Sequence, residues 1–176
     1  MIQVEYLPIV LTGIGIMASI LYYTSVLRNT NKTQQMQLET RSLQLFMQLY
    51  QDMSSPEGSK IYMEIMKYEW DDSNDFSEKY GRNNVEAYSK WTSIFRRYNT
   101  MGIFLRDNRL EPEMLYDYVG RSVIFVWNKY EPLVKEWRRN FNSPELYEWF
   151  EYLVHEMNNM RKKKGFTEPP QGVYST

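Results

Sequence analysis

The sequence contains no cysteine and a single histidine, His155. That excludes disulfide staples, thiol nucleophiles and zinc sites built from Cys and His, and it accords with a reducing compartment. Net charge is also lacking: 21 basic residues face 22 acidic ones, giving −1 and an isoelectric point near 6.0. No long-range field draws the chain toward a polyanion, so a nucleic-acid partner is not expected. Alternating strand patterns are missing throughout, and no Lys or Arg lies before the first apolar run. Aromatics are not scarce: 15 Tyr, 5 Trp and 8 Phe, 16% of the chain, are more than a disordered polymer carries.

Leu7 to Leu27 holds no charged side chain. As a helix these 21 residues would extend about 31 Å, the thickness of a bilayer's hydrocarbon core. A cleaved secretory signal would need a basic segment before the run and small residues after it. Glu5 is the only charge preceding it, and Ser19-Ile20-Leu21-Tyr22-Tyr23 offers no cleavage site. A buried core helix rarely needs so long an apolar run, and Tyr6, Tyr22 and Tyr23 stand where interfacial aromatics belong. Arg28, Lys32 and Arg41 follow the run closely, so the positive-inside rule sets the N-terminus outside and the rest in the cytoplasm. The expectation is a single-pass protein of the cell membrane, with membrane lipid as its first partner.

The remainder suits one domain. Its helix signals predict an all-α fold: a transmembrane anchor over residues 1–28, a cytoplasmic bundle of about five to six helices over 29–165, and a disordered tail over 166–176. Met36, Leu43, Phe46, Tyr50 and Met53 form a helical stripe over 31–53, which either continues the anchor or starts afresh at Asn29-Thr30-Asn31. Ser55-Pro56 opens a helix ending near Trp70. Asp71 to Asn84 reads as an acidic loop. Asn83 and Glu86 form a capping box for a helix whose face carries Val85, Tyr88, Trp91, Thr92, Phe95 and Tyr98. Glu111-Pro112-Glu113 opens the next, whose buried side includes Leu115, Tyr118, Val119, Val126 and Trp127 and which Pro132 should kink or divide. Ser143-Pro144-Glu145 starts a last helix, closed by Arg161, Lys162, Lys163 and Lys164 before Gly165.

Chemical motifs fail one by one. Glu148, Glu151 and His155 share a helix face, but di-iron bundles need a second histidine and Glu-x-x-His spacing, so a Glu151–His155 pair on a solvated face is expected instead. No nucleophile elbow Gly-x-Ser-x-Gly occurs. Gly13-Ile14-Gly15 lacks a third glycine and lies inside the apolar run, where Gly15 and Ser19 are small residues that could let two spans approach. Most basic clusters are interleaved with acids. Arg161, Lys162, Lys163 and Lys164 are the exception, and on a tethered protein they could meet anionic headgroups. No cofactor and no metal are expected.

The succession Met101-Gly102-Ile103-Phe104-Leu105, Leu110-Glu111-Pro112-Glu113, Trp127, Pro132, Trp137-Arg138 and Pro144 to Leu153 resembles a bacterial and archaeal family of single-span proteins with a helical domain of unassigned function. The resemblance covers residues 5 to 160 and implies the same architecture. It makes Trp127, Trp137, Arg138, Phe150 and Glu151 structural or partner-binding positions, and it brings no catalytic residue. The function expected is that of a membrane-anchored scaffold or accessory subunit showing aromatic surface to another membrane protein or to a second copy. The alternative is a tethered enzyme acting on lipid or nucleotide through Tyr, Arg and carboxylates alone.

Overall fold

The computed structural model describes residues 6–166, so the predicted tail lies outside the described residues apart from Phe166. Six helices account for the fold: α1 (Leu7–Ser54), α2 (Pro56–Met66), α3 (Ser73–Tyr80), α4 (Val85–Arg106), α5 (Pro112–Asn140) and α6 (Glu148–Lys163). Among the described residues there is no strand. The chain divides into two compact units, the first ending at Arg41 and the second beginning at Ser42.

In the first unit the helix is unbroken through Asn29-Thr30-Asn31, which cap nothing. Every side chain from Tyr6 to Arg41 is exposed, so the predicted inward stripe does not begin until Phe46; Met36 and Leu43 face solvent. The hydroxyls of the apolar stretch turn back on their own helix. Thr12 donates to the Pro8 carbonyl at 2.8 Å, Ser19 to Gly15 at 2.8 Å and Thr24 to Ile20 at 2.7 Å. These three hydroxyls thereby donate without water.

The second unit is built on α4, α5 and α6, with α2 laid on α4 and α3 wedged against α4 and α5. Several starts follow local rules. The Ser55 hydroxyl accepts from the Gly58 amide at 3.0 Å with Pro56 at the first helical position, and Glu111 precedes Pro112 at the start of α5 without a side-chain cap bond. α2 stops at Met66, short of Trp70, where the Lys129 ammonium donates to the Met66 carbonyl at 2.9 Å. Gly165 at φ 84° closes α6: its amide returns to Lys162 O and that of Phe166 to Arg161 O.

Four expectations are corrected. Residues 71–84 are not a loop: Asp72 accepts from the amides of Asn74 and Asp75, Lys79 pairs with Asp75 at 2.7 Å, and α3 forms because Phe76 is driven into the core. The cap of α4 is Asn84, one residue after the predicted Asn83, and Val85 is exposed, not core. Pro132 does not divide α5. It lies on the exposed face, as does Asn128 four residues earlier, so water can serve the carbonyl that proline leaves unbonded. Residues 144–147 are turn, and α6 starts at Glu148 behind Tyr147 in the left-handed conformation.

The core is a lattice of rings. Phe76, fully buried, touches Trp70, Tyr80, Trp91, Tyr130 and Trp137 at centroid distances of 5.1, 5.3, 5.6, 6.1 and 5.5 Å. Phe95 does the same for Trp91, Tyr130, Tyr147 and Phe150 at 5.1–5.4 Å. Most are edge-to-face, the arrangement that ring quadrupoles favour. Where α4 meets α6, a Cβ placed on Gly102 would lie 1.8 Å from the Trp149 carbonyl oxygen, which only glycine permits.

Two outcomes follow. Gly102→Ala should lower stability of the bundle in urea by about 2 kcal/mol, overpacking outweighing alanine's better helix propensity. Gly13→Ala and Gly15→Ala, with open space around both positions, should leave the same transition unmoved. Alkali provides the second. Burial raises the phenols of Tyr98 and Tyr130 above their ordinary 10.0 and pushes Tyr147 up to about 12. Below pH 10 both states keep these protons and stability is whole. Above it the unfolded chain ionises first, so stability should fall with rising pH by about 1.4 kcal/mol per unit per tyrosine. Tyrosinate absorbance should then show Tyr98 and Tyr130 ionising only with unfolding.

Candidate binding cleft

The second unit holds a partly open cleft of about 550 Å³ bounded by α3, α4, the end of α5 and the turn before α6. Phe76 and Trp91 supply its floor, Trp137, Tyr88 and Tyr147 its walls, and Phe141, 66% exposed, its rim. Arg82 is the one charged residue lining it, and no carboxylate does. The indole N–H of Trp91 is spent on the Tyr80 carbonyl at 3.0 Å, which holds α4 to the end of α3.

Tyr147 is the unusual member. Among the described residues three that are not glycine have positive φ; two are asparagines, Asn108 and Asn142, which tolerate the left-handed region, and the third is Tyr147 at φ 57°. A bulky side chain there costs on the order of 1–2 kcal/mol. The surroundings hold it in place. Arg138 donates through Nε to the Leu146 carbonyl at 3.0 Å and through Nη1 to Glu151 Oε2 at 2.6 Å, so one guanidinium fixes the turn and the first turn of α6 together. The Glu151 amide bonds to the Tyr147 carbonyl at 3.1 Å, and the ring packs on Phe95 at 5.1 Å.

A second concavity, about 370 Å³, carries the charged Glu64, Glu86, Lys90 and Lys67 beside the stacked Tyr68 and Tyr80, whose rings lie 4.0 Å apart. Lys90 clamps Glu64 at 2.6 Å and Glu86 at 2.5 Å. The hydrogen bonds to both carboxylates raise Lys90, and the one from Lys90 lowers Glu86. The three side chains form an ion-pair network that joins α2 to α4.

The sequence-predicted residues separate into three groups. Leu7, Tyr6, Tyr22, Tyr23, Leu27, Arg28 and Lys32 all lie exposed in the first unit, with Tyr22 and Tyr23 edge to face at 5.7 Å. Trp127, Trp137 and Phe150 are core residues, Trp127 meeting Phe150 at 5.0 Å, and Arg138 and Glu151 form the tie just described. Because Glu151 is taken by Arg138, the expected Glu151–His155 pair does not form; His155 lies by Glu156 at 3.3 Å and Asn159 at 3.2 Å. Of the basic run, Lys164 binds Asp117 and sits over Tyr116, Arg161 sits over Phe166 at 5.2 Å, and Lys162 and Lys163 are exposed. Sequence reading did not assemble the cleft, since four of its lining residues, Phe76, Ser77, Gly81 and Arg82, fell in the stretch taken as loop.

These features define an all-α protein with one helix near its N-terminus long and apolar enough to cross a membrane, followed by a bundle with an aromatic core. The family model described as Domain of unknown function (DUF4760) matches residues 9–157, and the chain belongs to that family. No curated protein and no solved structure matches the chain.

The tie at Arg138 is testable. Arg138→Ala should destabilise the bundle by about 2 kcal/mol, because it leaves the Leu146 carbonyl and Glu151 without their donor. Arg138→Lys should recover less than half of that, an ammonium being unable to serve both acceptors in fork geometry. Urea midpoints of the two variants give the comparison.

Proposed function

We propose that the protein is a single-pass, membrane-anchored binding module: residues 7–27 cross the membrane with the N-terminus outside, and the bundle works on the cytoplasmic side against another membrane protein or a second copy. The observation that carries this is the uncharged helical stretch Leu7–Leu27, apolar on every face and exposed on every face. A helix of that kind has no stable placement in water. Its inward-bonded hydroxyls, the tyrosines at its ends and the cations Arg28 and Lys32 just beyond it are the features a lipid-embedded segment uses.

The bundle supports a binding role more than a catalytic one. Its perturbed ionisations come from ion pairs, from buried tyrosines and from Lys129, which burial lowers while its ammonium donates to the Met66 carbonyl and lies over Trp70. The expected aromatic surface gives way to an aromatic interior, with Phe141, Tyr118 and Phe166 as large exposed rings of the second unit. Contact with a partner is therefore confined to small apolar patches and the cleft.

Membranes bearing the full-length chain test the reading. After an alkaline carbonate wash the protein should stay in the pellet, whereas the double variant Ile16→Arg with Met17→Arg should move to the supernatant, each arginine costing about 3 kcal/mol at the centre of a span. Wild-type protein released by carbonate would contradict the anchor. Crosslinking in the same membranes should give a discrete adduct, and a strictly monomeric pattern would contradict the partner.

A further inference from the structure

We infer that the cleft beside Tyr147 is a binding site for a small molecule with a flat aromatic body and a single anionic group. Its volume, about 550 Å³, falls within the range of small-molecule sites. The walls are rings: Trp91, Trp137, Tyr88 and Tyr147 present the faces and edges against which another aromatic packs best. The charge at the mouth fixes the other half of the ligand. Arg82 is exposed and makes no ion pair among the described residues, and with no carboxylate in the lining a cation would meet an uncompensated guanidinium. A carboxylate, phosphate or sulfonate would instead gain a charge-assisted, two-point contact.

The strain at Tyr147 points to the same place. The fold spends the Arg138 tie, the Phe95 contact and a left-handed backbone on holding this one ring in the cleft wall. An exposed turn with asparagine or glycine there would join α5 to α6 without that cost. Backbone strain of this kind concentrates where a side chain must be presented to a ligand. The inference is independent of the anchor, since every residue it uses lies in the second unit.

The test uses the full-length chain in nanodiscs, with empty nanodiscs as the blank, and 2-naphthoate as probe in saturation-transfer NMR. Wild type should bind 2-naphthoate saturably, and 2-naphthamide, which keeps the ring and loses the charge, should bind at least tenfold more weakly. Arg82→Glu should weaken 2-naphthoate at least tenfold while leaving the thermal transition and 2-naphthamide binding unchanged, because Arg82 is solvent-exposed. Phe141→Ala should weaken both probes severalfold. A wild-type signal no larger than that of empty nanodiscs would overturn the proposal. So would equal affinity for acid and amide, or Arg82→Glu binding the acid as wild type does. 2-Naphthyl phosphate beside 2-naphthoate distinguishes the anion: the tighter of the two names the natural headgroup.

Discussion

Apolar side chains follow two separate routes in this protein, buried among one another in one unit and exposed along a helix in the other, and that division governs the rest of the structure. In the second unit rings bury against rings, with Phe76 and Phe95 each holding several aromatic neighbours. In the first, the residues between Leu7 and Leu27 cover every face of one helix and lie exposed. The first route closes on itself. The second leaves an uncharged helical surface uncovered, which is why the proposed function begins with the bilayer.

The ring lattice also accounts for the cleft. α3 is eight residues long, too short to be helical on its own account, and it stands because Phe76 is locked among five rings and Ser73 bonds to Glu136 on α5. That places Phe76 and Gly81 opposite Trp137 and Tyr147, and the gap left between a short helix and two long ones is the cleft. The close approach at Gly102 sets α6 against α4, and the Arg138 fork then fixes how the chain turns from α5 into α6. Removing any one of these loosens the same wall.

The parts of this that the sequence made legible are those decided within a few residues. Ser55-Pro56, Glu111-Pro112 and the Lys-rich run before Gly165 mark helix ends through local rules, a hydroxyl cap at the first, proline's fixed backbone at the first two and charge against the helix dipole at the third, and all three hold in the structure. The uncharged run was legible for the same reason. What distant contacts decide was not: α3 reads as an acidic loop until Phe76 has a core to enter, and Pro132 reads as a break until its face is known to be the wet one. Ser143-Pro144 carries the signature of a helix start, yet Arg138 draws the Leu146 carbonyl and the helix waits for Glu148. Aromatic abundance announced a folded domain without saying which way the rings would face. The cleft depended on those same distant contacts and stayed hidden with them.

The most direct measurement places a spin label singly at each position from Ile9 to Gln37 in the full-length chain in bilayers and compares its exposure to oxygen and to a water-soluble nickel chelate. The account predicts that oxygen dominates from Ile9 to Leu27, strongest near Ile16 and with no helical periodicity, and that the chelate takes over beyond Arg28. Chelate access through the apolar stretch, or a periodic pattern with one protected face, would show that these residues pack against protein in water and would contradict the account.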